Sequence, residues 1–435
     1  MKAFHIYGGV PLQGKVRIQG SKNAALPVLA ATLLTGEDCT IRNCPQITDV
    51  EHMICLLKNL GCRVRHVSDG YRIDSACAKP HDMSGEAITG MRSSLCMLGA
   101  MLARFHEVRM EHPGGCVIGE RPIDLHLKAL AKMGVTFSQE ERVLVGRTNG
   151  LHGAQIALAF PSVGATENIL LAAVLADGET CIQNAAREPE IEALCCFLTS
   201  CGAQIEGVGT DRLRIQGCKT LHGAVFTVPA DRIVAGTYLF ACTGCGGEVF
   251  LEQAPWEQMQ AVIALAEQMG AVCQVCRDVR CAGCGFSETC AGLYVQGPDR
   301  PRAVGRVQTS VYPGFPTDMQ SMALAVLAGA DGESVVQETI FENRFRVIEP
   351  LRKMGADVRL RSSSEAVVRG VPRLSGAQVE AGELRGGAAL VLAGLMARGE
   401  TVVTGCDYIG RGYENIGKDL KNLGARIVSG YFTKT

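Results

Sequence analysis

The sequence predicts an α/β protein built from one unit of roughly 70 residues, ordered βαβαββ, used six times and divided three plus three. Three observations lead there. One helix ending recurs, as Leu60-Gly61-Cys62, Met133-Gly134-Val135, Cys201-Gly202-Ala203, Met269-Gly270-Ala271, Met354-Gly355-Ala356 and Leu423-Gly424-Ala425. Subtracting successive glycine numbers gives spacings of 73, 68, 68, 85 and 69 residues. The other parts of the unit recur in phase, and 435 residues exceed what a single core usually spans.

Each element has its own signal. The chain starts on a strand, Met1 to Tyr7, running into Gly8-Gly9. A turn and strand start appears at Leu12-Gln13-Gly14, Leu151-His152-Gly153, Leu221-His222-Gly223 and Leu374-Ser375-Gly376. An apolar helix follows, predicted over Ala24 to Leu34, Leu95 to Ala103, Ile169 to Ala176, Thr237 to Cys242, Met322 to Ala328 and Ala388 to Ala397. Small or polar turns such as Thr35-Gly36-Glu37-Asp38 then lead into a strand. A second, amphipathic helix runs to the glycine stop, a C′ position that feeds the next strand. Closing strands such as Leu213-Arg214-Ile215 and Ala366 to Arg369 complete the unit. The seam between halves falls near Val228-Pro229-Ala230-Asp231.

Composition narrows the function. Forty-three basic against 44 acidic residues argue against a dedicated nucleic-acid binder or a polybasic membrane protein, so any anion site must be locally basic. No apolar run reaches membrane-spanning length, and the N-terminus lacks the apolar region of a secretory signal. Twenty cysteines without such a signal imply reduced thiols and a cytoplasmic protein. The 85-residue spacing marks an insertion holding Cys273, Cys276, Cys281, Cys284 and Cys290. Its Cys-x-x-Cys pairs lie closer together than zinc-ribbon pairs usually do, and a surface hairpin accounts for them as well.

The junctions between elements carry the candidate chemistry. Lys22, Arg92 and Arg385 stand at helix N-termini, where a cation opposes the helix dipole and an anion is welcome. Each is either solvated, paired with a loop carboxylate, or an anion ligand. Ser162 and Thr166 read as caps. Asp318, after a proline, serves equally as an N-cap or as a general base in a basic cleft. In the second unit, His112-Pro113-Gly114-Gly115-Cys116 puts a thiol on a glycine-rich turn with Arg121 five residues on, a setting that favours thiolate. Equivalent junctions carry Arg344 and Arg411, and arginines around a thiol suit a polyanionic substrate.

At these residues the chain resembles the UDP-N-acetylglucosamine 1-carboxyvinyltransferases, which are enolpyruvyl transferases. The stretches that carry the resemblance are Gly20 to Pro27, Pro113 to Leu125, Pro161 to Thr166, Phe315 to Gln320, Phe341 to Phe345 and Arg411-Gly412-Tyr413-Glu414. It implies two inside-out α/β barrel domains, each of three βαβαββ repeats, with the active site in the cleft between them. Residues 21–229 would form one domain, carrying the Cys116 lid loop, and residues 1–20 plus 230–435 the other.

The resemblance also implies transfer of the enolpyruvyl group from phosphoenolpyruvate to the 3′-hydroxyl of UDP-N-acetylglucosamine, through a tetrahedral ketal, with release of phosphate and no metal or organic cofactor. Cys116 would protonate the vinyl carbon, and Asp318 would take the hydroxyl proton. Lys22, Arg121 and Arg411 would hold the phosphate, with Arg344 and Arg385 near the carboxylate and Asn23 beside Lys22. Arg92, Arg121, Pro122, Ile123, Asp124, Leu125, Phe160, Pro161, Ser162, Val163, Asp318 and Ile340 would line the sugar-nucleotide site. Glu383, Gly410, Ala159 and Val234 depart from the family's usual acids, which bears on the tuning of Arg385 and Arg411. The rival readings are the sister transferase acting on shikimate 3-phosphate, which lacks the Pro-Gly-Gly-Cys loop, and a noncatalytic UDP-sugar-binding paralogue.

Overall fold

The computed structural model describes residues 2–111, 123–277 and 291–431. Cys116, Arg121, Pro122 and the cysteines at 281, 284 and 290 lie outside the described residues. The chain forms two compact units. The continuous unit runs from Gly20 to Pro229; the split unit joins the residues up to Gln19 to those from Ala230 onward.

Among the described residues there are six sheets, three in each unit. The third repeat shows the pattern, with strands Gln155–Ala157, Glu179–Gln183, Gln204–Glu206 and Arg212–Gln216 in the spatial order third, fourth, second, first. The first two are parallel, joined through a helix, and the remaining pairs are antiparallel. The second repeat reduces its first strand to a parallel bridge between Met83 and Met110.

Sheet membership does not follow chain order for three strands. Strand Leu12–Arg17 pairs parallel with Gly247–Glu252, and strand Val225–Thr227 pairs parallel with Asp38–Arg42. Strand Lys2–Tyr7 sits between Glu400–Thr404 and Arg426–Tyr431, antiparallel to both. The split unit therefore takes two strands from the start of the chain.

Helices occupy the inside of each unit. Lys22–Ala31, Met97–Phe105 and Val163–Ala173 belong to the continuous unit; Arg232–Cys245, Gln320–Leu327 and Leu384–Met396 belong to the split one. They are apolar on nearly every side, as a helix surrounded by protein must be, and all eight residues of Gln320–Leu327 are buried. The strands outside them alternate, as in Arg212–Gln216, where Leu213 and Ile215 point inward. Five of these helices begin earlier than their apolar runs suggest, Arg232 rather than Thr237 and Lys22 rather than Ala24 among them, while Met97–Phe105 begins two residues after the expected Leu95. Their first turns are polar, and Asp231 and Ser21 cap them with side-chain oxygens.

The recurring glycines adopt one conformation. Gly61, Gly134, Gly202, Gly270, Gly355 and Gly424 have φ between 84° and 101°, the left-handed stop that a side chain resists. The carbonyl before each accepts a bond from the start of another segment: Leu60 from Lys79, Met133 from His152, Cys201 from His222, Met269 from Arg302, Met354 from Ser375 and, from the other end of the chain, Leu423 from Gln13. The six units are equivalent in their hydrogen bonding as well as in their spacing.

Candidate active site

In the split unit, three of the residues singled out in the sequence meet. Asp318 lies in the short 3₁₀ turn Thr317–Met319 and bonds two guanidiniums. Arg344 donates from Nη2 to Oδ1, while Arg385 donates to Oδ2 from Nη2 at 3.0 Å and from Nε at 3.3 Å. Asp318 is thus an ion-pair partner rather than a helix cap. Burial pushes its carboxyl up, but the charges and hydrogen bonds of Arg385 and Arg344 outweigh this and hold it well below the usual carboxylate range. Burial works against the charged Arg385, yet Asp318 beside it raises its pKa on balance.

Glu338, which sequence reasoning missed, holds this arrangement. It is buried, and its Oε1 accepts from Thr309 Oγ1 and from the N–H groups of Ile340 and Phe341. Its Oε2 accepts from Thr317 Oγ1 at 2.9 Å, and the Thr317 oxygen in turn accepts from Arg344 Nε at 3.2 Å. Tyr413 lies under the Arg385 guanidinium, with its hydroxyl 2.8 Å from Thr237 Oγ1. One donor is left over. Arg385 is 4% exposed, and its Nη1 has no hydrogen-bond partner among the described residues. A buried guanidinium with an idle N–H is costly unless a ligand completes it.

Glu383 turns out to serve the backbone. Its carboxylate accepts from the N–H groups of Arg385 and Gly386, capping the helix that carries Arg385. Arg411 follows the short helix Cys406–Ile409, partly buried, with its N–H on the Tyr408 carbonyl.

The continuous unit carries a second constellation. Lys22 is the first residue of its helix and almost buried, its Nζ 2.6 Å from Asp49 Oδ2. Asp49 sits in the first turn of helix Thr48–Asn59 with its side chain 1% exposed, an acid that reads in sequence as an ordinary dipole partner. Asn23 donates to Glu190 Oε1 at 3.4 Å. Arg92 opens the 3₁₀ segment Arg92–Cys96, and burial lowers its pKa. Ile123 precedes helix Asp124–Lys132, where Asp124 pairs with Lys128 at 3.0 Å and Leu125 follows. Phe160 is 43% exposed, Pro161 comes next, and Ser162 caps the helix that begins at Val163 by accepting from Ala165 N–H. Thr166 donates to Ser162 O and accepts from Ala186 N–H, a structural role.

Known proteins resemble this chain along nearly its whole length. A family model described as EPSP synthase (3-phosphoshikimate 1-carboxyvinyltransferase) matches residues 6–420. The UDP-N-acetylglucosamine 1-carboxyvinyltransferase of Nitratidesulfovibrio vulgaris is 46% identical over 426 residues, covering 97% of this chain and 98% of that one. The chain belongs to this family of enolpyruvyl transferases. UDP-N-acetylglucosamine 1-carboxyvinyltransferase 2 of Caldanaerobacter subterraneus is 45% identical over 428 residues, covering 98% and 99% of the two chains. Solved enolpyruvyl transferases share the fold: NikO from Streptomyces tendae superposes with a TM-score of 0.85 at 22% identity, over 98% of both chains. The EPSP synthase of Acinetobacter baumannii gives 0.75 at 18% identity, over 99% of this chain and 100% of that one. The βαβαββ repeats arranged as inside-out barrels are thus the fold of this family. Among the described residues no group of three His, Cys, Asp or Glu side chains is placed to hold a metal, and no helix is long and apolar enough to cross a membrane.

Proposed function

We propose that this enolpyruvyl transferase moves the enolpyruvyl group of phosphoenolpyruvate to the 3′-hydroxyl of UDP-N-acetylglucosamine and releases phosphate, the step that opens peptidoglycan precursor synthesis in the cytoplasm. The idle Nη1 of buried Arg385 is the observation that supports it most directly: an anionic oxygen completes that guanidinium, as the carboxylate of phosphoenolpyruvate would.

In the reaction, C3 of phosphoenolpyruvate gains a proton, from Cys116 in this reading, and C2 gains the sugar oxygen. The ketal then loses a C3 proton and expels phosphate from C2, restoring the double bond. Arg344 and Arg385 take the substrate carboxylate; Lys22, Arg121 and Arg411 take the phosphate, and Asn23 orients the sugar hydroxyl. Asp318 accepts the hydroxyl proton. Paired with two guanidiniums it is a weak base, and a substrate carboxylate that draws those donors away raises its proton affinity as the reactants come together. Arg92, Pro122 to Leu125, Phe160 to Val163 and Ile340 receive the sugar nucleotide.

Phosphate release from phosphoenolpyruvate tests the proposal. Release that requires UDP-N-acetylglucosamine supports it. Release with shikimate 3-phosphate instead, or none with either, overturns it.

A further inference from the structure

Gln19 takes no part in the reaction proposed above. It follows strand Leu12–Arg17 in the split unit and is half-buried, its own carbonyl accepting from Asp231 N–H at 2.9 Å. Its side-chain amide reaches the turn after the short helix Cys406–Ile409. Oε1 accepts from Glu414 N–H at 2.9 Å, and Nε2 donates to the Gly412 carbonyl at 3.2 Å. Those two groups belong to the peptides on either side of Tyr413. Within the turn, the N–H groups of Gly410, Arg411, Gly412 and Tyr413 bond back to carbonyls of that helix, those of Cys406, Tyr408 and Ile409. Glu414 N–H is the first to bond outside the turn, to a residue 395 positions away.

Tyr413 is thus held by its backbone through Gln19 and by its side chain through Thr237. It is 2% exposed, with its ring centre 5.9 Å from Arg385 Cζ and its hydroxyl 2.8 Å from Thr237 Oγ1. Thr237 donates its own proton to the Ile233 carbonyl at 2.8 Å, so the Tyr413 hydroxyl is the donor between them. Burial pushes the pKa of that hydroxyl up, which keeps the donor proton in place. Gly412 packs closely as well. A side chain built there would meet Leu384 Cδ2 at 2.8 Å, and Leu384 is the neighbour of Arg385. The turn that carries Arg411 is therefore seated on the first turn of the helix that carries Arg385, and the Gln19 amide closes it from the end of strand Leu12–Arg17.

We infer that Gln19 is a positioning residue: its amide fixes the peptides around Tyr413 and so sets Arg411 relative to Arg385, the guanidiniums that receive the phosphate and the carboxylate of phosphoenolpyruvate. The inference rests on that assignment of the two arginines and adds the group that holds them in register. Without the amide, the turn has to be ordered as the substrate binds, and that cost falls on the affinity for phosphoenolpyruvate. The residues assigned to the sugar nucleotide all lie off this turn, so the second substrate is unaffected.

Steady-state kinetics of the full chain test this, with KM read separately for each substrate. Gln19→Met keeps the length of the side chain and removes both hydrogen bonds. It should raise KM for phosphoenolpyruvate about tenfold, leave KM for UDP-N-acetylglucosamine within about twofold, and lower kcat by less than about threefold. Tyr413→Phe keeps the ring under Arg385 and removes the hydroxyl, and should raise the same KM about fivefold. Both changes loosen one turn, so the double variant should raise it by less than about twentyfold, against about fiftyfold for independent effects. An unchanged KM for phosphoenolpyruvate in Gln19→Met, equal rises in both KM values, a loss confined to kcat, or independent effects in the double variant overturn the inference. Should the parent use a different acceptor, the same comparison holds, since it reads only the donor. Should the parent lack transferase activity, calorimetric titration with phosphoenolpyruvate makes the comparison, so a failed reaction is told apart from a failed clamp. A parent that does not bind phosphoenolpyruvate overturns both.

Discussion

Replacing Asp49 by Asn keeps the shape of its side chain and removes the charge that faces Lys22. The pair is 2.6 Å apart, with side-chain exposures of 10% and 1%, so water screens it little. At an effective dielectric constant near 20, charges that close attract by about 6 kcal/mol, much of it offset by the cost of drying both ions. Removing one partner of a buried pair costs about 3–5 kcal/mol. For a unit of roughly 200 residues, each kcal/mol moves the melting midpoint by about 2–4 °C, so Asp49→Asn should lower it by on the order of 10 °C. Scanning calorimetry reads this as a shift of the transition belonging to the continuous unit. The double variant Lys22→Met with Asp49→Asn should recover at least half of the loss, since both charges of the pair go together. A midpoint within about 2 °C of the parent for Asp49→Asn would refute the reasoning, as would strictly additive losses in the double variant.

Other expectations follow from the same coordinates. Thr317→Val removes the hydroxyl between Glu338 and Arg344 and should cost about 1–3 kcal/mol in urea unfolding, together with a fall in turnover; unchanged turnover would separate the strut from the site. Asp318 has a folded pKa below its unfolded value of about 3.9, so its stabilising contribution is present above that pH and lost as pH falls toward the folded value. The melting midpoint should therefore hold steady from neutral pH to about 5 and drop below about 4, and Asp318→Asn should flatten that acid limb. An epoxide phosphonate of the fosfomycin type should add a single mass, at Cys116. Burial pushes the thiols of Cys242, Cys245 and Cys273 up to about 12. Cys39, lowered to about 7 by its hydrogen bond to Cys201, is fully buried and out of reach. Peptide mapping that finds the adduct elsewhere would count against the activated thiol.

Much of the fold is written locally. A left-handed glycine after an amphipathic helix, or an apolar run long enough for three turns, needs no tertiary context, which is why the six stops and six inner helices were legible. The pairing of Leu12–Arg17 with Gly247–Glu252 was not, because nothing in a six-residue strand names a partner over two hundred positions away. The resemblance supplied only the assignment of residues 1–20 to the second domain. The site divides in the same way. Arg385 drew notice as a cation at a helix start, Arg344 by its place at a repeated junction, and Asp318 as an acid that could cap or act as a base. Asp49 and Glu338 are ordinary polar residues in sequence, and only burial gives them their weight.

The place of Lys2–Tyr7 between the two strands nearest the far end of the chain has a consequence in time. A ribosome adding 5–20 residues each second needs about 20–80 seconds to deliver Glu400–Thr404 and Arg426–Tyr431 after this strand has emerged. The continuous unit has every strand it needs far sooner. Lys2–Tyr7 therefore waits a long time for its neighbours, and it spends that interval as an unmatched strand with Phe4 and Ile6 uncovered. A cell making this enzyme has to shelter that strand while the intervening chain is built.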